Sequence, residues 1–404
     1  MGKIILTMKY QVLFVPDGWP ANFFDDQMNA VSDLYEFKVI LGTQETLGKK
    51  KAVNQFIRHK IPAFSIQQDD IYRIHYSFIN HLPAVLDKKQ YNWLMHRFDK
   101  CIRELYKGSQ PDLIHIHQIS DTAAFICEWA KSHQIPIVMS EHILFVRHET
   151  NRFQRLKELV YGKADMVLCG SNYQYRTLLT NGIKMQHTEI VGNLLLDSYV
   201  PEQFDSKFEN RNIMFVASHL ADKDIDVLLD AISILKTDEF TNFHLDIIGI
   251  DSTREYQIDD NPRYNLQQDI EKRGLSELIS IKGRKERKEL LSSYRHYSFL
   301  VSSSLSETFG VGIAEAIMNG LPVVCTDSGG IRDFVDHTNG IIVPIRNPRA
   351  FADAIKKMFE QRAIYNPEAI SNRIRKSFGQ KAFREKLLRI YEELIPTFST
   401  KTDL

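Results

Sequence analysis

Residues 296–335, HYSFLVSSSLSETFGVGIAEAIMNGLPVVCTDSGGIRDFV, decide the fold. Tyr297 to Val301 is short and apolar, the pattern of a buried parallel strand. A polar loop from Ser302 to Glu307 follows, then Gly310 and Gly312 at the mouth of a helix over 311–319. Gly320 and Pro322 stop that helix, standing where glycine and proline ordinarily lie beyond a helix C-terminus. A second buried strand over 321–326 runs into a Gly329–Gly330 turn and a further helix start. The unit is βαβ, with both loops at the sheet edge where open parallel sheets bind ligands.

Two carboxylates belong to this unit, Glu307 in the loop and Glu315 in the helix. The helix reads VGIAEAIM, apolar on nearly every face, and a lone buried carboxylate is costly unless paired or hydrogen-bonded. Met318 and Asn319 stand three and four residues on, so an intrahelical ion pair is excluded. Glu307 belongs to no capping box, because Ser306 and Thr308 have Phe309 and Val311 three residues later. The plain structural reading is one Glu held by the helix dipole and one core Glu with a distant partner. The functional reading is a site for an anionic, polyhydroxylated ligand. Amides of Thr308, Phe309, Gly310, Val311 and Gly312 would face its phosphates, and the carboxylates would accept from its hydroxyls.

The joint pattern SxxETFGxxxxEAxxxGLPVVxTDxGG resembles the donor-site signature of family 4 retaining glycosyltransferases. Those enzymes have the GT-B fold, two Rossmann-like α/β domains facing across a cleft. The resemblance spans most of residues 11–395 and is densest at 296–346. It implies that Glu315 holds the ribose hydroxyls of a nucleoside diphosphate sugar and Glu307 the hydroxyls of the transferred sugar. The amides of Phe309 to Gly312, with Lys223, would carry charge developing on the departing diphosphate. Family members usually have an Arg shortly after the first C-terminal strand and a Lys several residues later. Here 217–225 reads ASHLADKDI, with Lys223 at the Lys and Ser218 or His219 where the Arg is expected. Arg284 could compensate or border the base pocket. Gly18 stands in a first loop where some relatives have a glycine pair. The stretch WPANFFDDQMNAVSDL resembles the opening of members that build surface polysaccharides. The implied donor is a UDP-sugar in preference to a GDP-sugar, with no cofactor and no metal, and the implied acceptor is a glycan or a lipid-linked sugar.

The strand DLIHIH, 112–117, places His115 and His117 on one face, with His117 at the carboxyl end. The family has a histidine at this strand end near the donor sugar and diphosphate, which makes His117 a catalytic candidate beside Glu307 and Lys223. Glu141, His142, Arg147 and His148, after the strand over 135–140, are candidates for acceptor contact.

At 404 residues the chain is long enough for two or three domains. A formal net charge of zero argues against nucleic acid as a partner. The cysteines, Cys101, Cys127, Cys169 and Cys325, show no CxxC or metal-like spacing and read as core residues in a reducing cytoplasm. No apolar run approaches the ~18 residues of a membrane span. The opening MGKIILTMKYQVLFV is too interrupted for a signal peptide, and it has Leu6 where myristoylation needs Ser or Thr. A basic run holds Lys49, Lys50, Lys51, Arg58 and Lys60. A helical stretch over 84–107 mixes Tyr91, Trp93 and Phe98 with Lys88, Lys89, Arg97, Lys100 and Arg103. Such a helix either lies on the anionic inner face of a membrane or turns an apolar stripe to the core.

Strands over 11–15, 37–41, 112–117, 135–140, 164–170 and 189–194 alternate with helices such as 22–34, and a second cycle begins at 213. The division expected is an acceptor-binding domain over 1–198, a nucleotide-sugar domain over 199–378, and a last helical segment over 379–404 returning to the first domain. The expected activity is sugar transfer with retention, in surface polysaccharide or glycoconjugate synthesis. Two alternatives of the same fold stay open: a non-catalytic partner that stabilises an active transferase, and a nucleotide-sugar epimerase.

Overall fold

The computed structural model describes residues 9–16, 22–47, 65–68, 72–79, 84–117, 119–142, 151–201, 204, 211–217, 222–252, 256–258 and 261–395. The chain divides into two units. Unit 1 comprises Met1–Cys169, Tyr175–Val191 and Arg384–Leu404; unit 2 comprises Gly170–Gln174 and Gly192–Phe383.

Unit 1 is built on eight strands: β1 (Tyr10–Val15), β2 (Tyr35–Leu47), β3 (Ser65–Gln68), β4 (Tyr72–Ile79), β5 (Leu113–His117), β6 (Ile137–Ser140), β7 (Met166–Cys169) and β8 (Thr188–Ile190). Their order is β3-β4-β2-β1-β5-β6-β7-β8, parallel throughout except for β3 against β4. Helices α1 (Asn22–Asn29), α2 (Ala84–Leu105), α3 (Asp121–Ser132) and α4 (Asn151–Lys163) alternate with them, as does α5 (Asn172–Thr180), which belongs to this unit from Tyr175 on. The helix expected over 22–34 stops at Asn29, and the next strand extends well past 37–41, because it pairs with β4 along its second half. α2 turns an apolar stripe to the core. Leu94, Phe98, Cys101, Ile102 and Leu105, spaced as one helical face, are buried, and Phe98 stacks on Phe125 of α3 at 5.4 Å between centroids. Trp93 packs against the same core under the Arg97 guanidinium. The basic run from Lys49 to Lys60 lies outside the described residues, as do Arg147 and His148.

Unit 2 is a six-stranded parallel sheet of β9 (Asn212–Val216), β10 (His244–Ile248), β13 (Ile279–Ile281), β14 (Phe299–Ser302), β15 (Val323–Thr326) and β16 (Gly340–Val343), with an antiparallel ribbon of β11 (Tyr256–Ile258) and β12 (Asn261–Tyr264). Helices α6 (Ile225–Thr237), α7 (Leu266–Lys272), α8 (Arg287–Ser293), α9 (Val311–Met318), α10 (Pro348–Gln361) and α11 (Pro367–Phe378) cover its faces, and α12 (Gln380–Leu394) ends the described chain. The order β13-β10-β9-β14-β15-β16 is that of a doubly wound sheet reversing between β9 and β14. One core, around Phe215, Ile232, Phe299 and Phe351, fills one face; a second, around Met214, Ile317, Val323 and Phe309, fills the other. The expected two Rossmann-like α/β sheets are therefore present. The four cysteines are free and buried. No helix among the described residues is long and apolar enough to cross a membrane.

Candidate active site

In a doubly wound sheet, ligands bind beyond the carboxyl ends of the two strands where the order reverses. In unit 2 those strands are β9 and β14, and the loops after them carry Lys223 and Glu307. The loops are joined by main chain: Leu305 N donates to Asp222 O at 2.9 Å, and Ser303 Oγ donates to Lys223 O at 2.6 Å. This brings Lys223 Nζ to 2.6 Å from Glu307 Oε1, with the two side chains 19% and 16% exposed. The same carboxylate oxygen accepts from Ser304 Oγ at 2.7 Å. Ser304 is in turn fixed by Thr326 Oγ1, which donates to its carbonyl at 2.6 Å. The main chain of Glu307 is pinned on both sides, its N–H to Ser328 O at 2.7 Å and its carbonyl by Gly330 N at 2.9 Å. A cation and an anion are thus held, partly open to solvent, at one sheet edge.

The helix start beside them is α9. Gly310 caps it in the left-handed region, φ 95°, with no side chain bonded to the cap. Glycine is required there twice over, since a Cβ would also meet Ile331 Cγ2 at 2.7 Å. Phe309 is buried against Phe334 and Phe378, which anchors the loop from below, whereas Val311 is 38% exposed. Among the described residues the amides of Phe309, Gly310, Val311 and Gly312 donate no backbone hydrogen bond. Free amides and the positive end of the helix dipole make this an anion-receptive position.

One turn into α9, Glu315 is half-buried. Its partner is Tyr294, whose hydroxyl donates to Oε2 at 3.3 Å and also lies 3.4 Å from Gly312 O. Burial pushes the carboxyl up to about 7, opposed by the Arg287 charge and the Tyr294 hydrogen bond. Tyr294 carries no sequence signal of its own: it sits in a one-turn 3₁₀ segment, Tyr294–His296, whose contacts appear only on folding. The same holds for Ser303 and Ser304, which the sequence shows only as a polar loop.

Arg284 follows β13 after Gly283 and is exposed. Gly249 N donates to Gly283 O at 2.8 Å and Ala217 N to Ile248 O at 3.0 Å, so the ends of β9, β10 and β13 are laced together near it. His219, Ser218 and Gly18 lie outside the described residues.

His117 belongs to unit 1. It ends β5, next to β1 where that sheet also reverses order, and it is fully buried. Its Nδ1 is 2.9 Å from His142 Nε2, and the two rings stack at 5.2 Å. Among the described residues His117 Nε2 has no hydrogen-bond partner. His115, on the same face, bonds Tyr391 Oη at 2.6 Å and Ser140 Oγ at 2.8 Å. Burial lowers all three imidazoles, with repulsion from neighbouring imidazoles adding at His115 and His117: His115 to about 3, His142 to about 4, and His117 well below the usual range. The acceptor candidate Glu141 is buried, bonded to His142 N at 2.8 Å and to the Tyr161 hydroxyl at 3.3 Å.

Comparison with known proteins bears on the fold and on the class of activity. Residues 201–381 match the glycosyl transferases group 1, and residues 49–194 match glycosyltransferase family 4. An uncharacterized glycosyltransferase of Methanocaldococcus jannaschii is 25% identical over 290 residues, 71% of this chain and 76% of its own. A D-inositol 3-phosphate glycosyltransferase of Paenarthrobacter aurescens is 36% identical over 98 residues, 24% of either chain. Anabaena HepE, solved with UDP, shares the fold with a TM-score of 0.68 at 17% identity, over 96% of this chain and 100% of that one. Sucrose-phosphate synthase of Thermosynechococcus elongatus does so at 0.68 and 14%, over 96% and 99%. The two partial family matches support a glycosyltransferase, and the chain shares the GT-B fold of these solved structures.

Proposed function

We propose that the protein transfers a sugar from a nucleoside diphosphate sugar to an acceptor hydroxyl with retention of configuration. The observation that carries this reading is the Lys223–Glu307 pair set beside the uncapped start of α9. A diphosphate needs the cation and the free amides; a sugar needs the carboxylate. Glu315, one turn on, accepts from the ribose hydroxyls. As the glycosidic bond breaks, negative charge grows on the β-phosphate, and fixed donors that already point there stabilise that state at no cost of reorganisation. Lys223 and the amides of Phe309 to Gly312 serve as those donors, and the chain itself supplies the charge that a metal supplies elsewhere. UDP is the favoured nucleotide: HepE has been solved with UDP, with UDP and glucose, and with UDP-glucose, and pneumococcal GtfA with UDP and GlcNAc. A glycan or lipid-linked acceptor in surface polysaccharide synthesis, in the cytoplasm, completes the reading.

The test is nucleotide release from a panel of UDP- and GDP-sugars with mixed glycan acceptors, with and without EDTA. Acceptor-dependent release of UDP that survives EDTA is expected. Donor binding without release under any acceptor would leave the non-catalytic partner in its place. Release that requires added magnesium or manganese would remove the metal-free mechanism.

A further inference from the structure

Five residues, Gly170–Gln174, lie between two stretches of unit 1 yet belong to unit 2. They form a strap against the site. Ser171, fully buried, donates from Oγ to Thr308 O at 2.5 Å and accepts from Gln174 N at 3.1 Å. Asn172 donates from N and Nδ2 to Asp333 Oδ2 at 2.7 and 3.2 Å. The Tyr173 ring sits so close over Gly329 that a Cβ there would lie 2.4 Å from it. Gly330 also crowds the Thr308 carbonyl, because a Cβ on it would stand 2.2 Å from that oxygen.

The Thr308–Phe309 peptide is therefore gripped by its oxygen. In a trans peptide the carbonyl and the following N–H point in opposite directions. Fixing Thr308 O toward Ser171 fixes Phe309 N–H away from it, and with it the run of unbonded amides that opens α9. Nothing else bonded to that carbonyl among the described residues sets this orientation.

Resting on the nucleotide-sugar reading above, we propose that Ser171 is a positioning residue for the diphosphate. It touches no substrate; it holds the Thr308–Phe309 peptide in the one orientation that presents the amides of Phe309 and its successors to phosphate oxygens. Loss of its hydroxyl should therefore be felt by the diphosphate and not by the nucleoside, whose ribose is held by Glu315 a turn away.

The experiment compares UDP with uridine on the full chain carrying Ser171→Ala or Ser171→Thr, with GDP and guanosine substituted if wild type prefers them. Ser171→Ala is expected to weaken UDP about tenfold, the loss of roughly one charge-assisted hydrogen bond, with uridine unchanged within about twofold. Ser171→Thr, which keeps the hydroxyl, should restore UDP affinity. Ser171 also caps α5 through Gln174 N, but a cap alone lowers the melting temperature and leaves the UDP-to-uridine ratio where it was. Ser171→Cys, of similar shape and weaker donor strength, gives the same ratio test should the alanine chain not accumulate. An unchanged ratio in folded Ser171→Ala overturns the positioning role while wild-type UDP binding keeps the donor site. Failure of wild type to bind either nucleotide overturns both.

Discussion

Lys223 Nζ and Glu307 Oε1 stand 2.6 Å apart at the reversal point of the unit 2 sheet. Under the proposed function, an arriving diphosphate would compete with Glu307 for the ammonium, and Lys223 would engage the leaving group most strongly once the phosphate has gained charge. Removing Lys223 should then damage the transition state more than the ground state. For Lys223→Ala we expect turnover to fall about a hundredfold or more and donor affinity only about tenfold. Steady-state kinetics beside calorimetry would check this, and wild-type turnover in the folded variant would refute the role.

Glu307→Gln should behave differently. It keeps the shape of the side chain and frees Lys223 from its anion. Free UDP is expected to bind as tightly as to wild type or severalfold tighter, whereas the intact UDP-sugar should bind more weakly and turn over poorly. Titration of both ligands against the variant separates the terms. Parallel weakening of UDP and UDP-sugar would mean that Glu307 acts by holding Lys223 in place and not by binding sugar.

Glu315 predicts a proton. Its carboxyl is pushed by burial up to about 7, so near neutral pH it is only partly ionised. Ribose hydroxyls donating to it favour the ionised form, and binding should release part of a proton near pH 7. Titrations of UDP in two buffers of different ionisation enthalpy should give different apparent heats, and Glu315→Gln should abolish the difference. Identical heats in wild type would remove Glu315 from the ribose site. The stability sign also follows. The folded pKa lies above the ordinary 4.5, so the fold holds this proton more tightly than the unfolded chain does. The contribution of Glu315 to stability then falls as pH rises from about 4.5 through about 7, and Glu315→Gln should stabilise the apoprotein at pH 8 but not at pH 4.

Much of this was legible in the sequence because it is local. The βαβ unit around Glu307 and Glu315 announces itself through short apolar runs and through Gly310, Gly320 and Pro322, each of which answers a backbone demand within a few residues. The partner of Glu315 was not legible, since Tyr294 reaches it across 21 residues from a segment without periodicity. Nor was the Ser171 strap, which spans 137 residues. Long-range partners leave no spacing to read. The helix over 84–107 shows the opposite limit. Its mixture of aromatics and bases fits a membrane surface as well as a core, and it is the burial of Phe98 and the packing of Trp93 that assign those two aromatics to the core. Any attraction to anionic vesicles must then rest on exposed bases such as Lys89 and Lys100.

The histidines of unit 1 carry the last prediction. His115, His117 and His142 are packed ring against ring, 4.1 Å between the first two centroids and 5.2 Å between the last two. Around them stand Tyr391, Ser140, Tyr161 and the buried Glu141. Burial lowers His115 to about 3 and His142 to about 4, and holds His117 well below 6.5. Each lowered pKa means that the unfolded chain takes up a proton before the fold does. The stabilisation is fully present above about 6.5 and is lost progressively as pH falls toward about 4. Surface carboxylates that favour the charged form, such as Asp336, held low by Arg373, lose their contribution only below that window. Glu315 in unit 2 has the opposite sign across the same range, so acid should weaken unit 1 while it eases unit 2. Tyr391 is on α12, which makes the docking of that helix in unit 1 the element most exposed to the change. Scanning calorimetry from pH 8 to pH 4 should show a melting temperature for unit 1 that falls steeply below about 6.5, and His142→Gln should make that fall shallower. A flat profile in wild type, or an unaltered slope in the variant, would mean that these imidazoles are already solvated or already charged in the native protein.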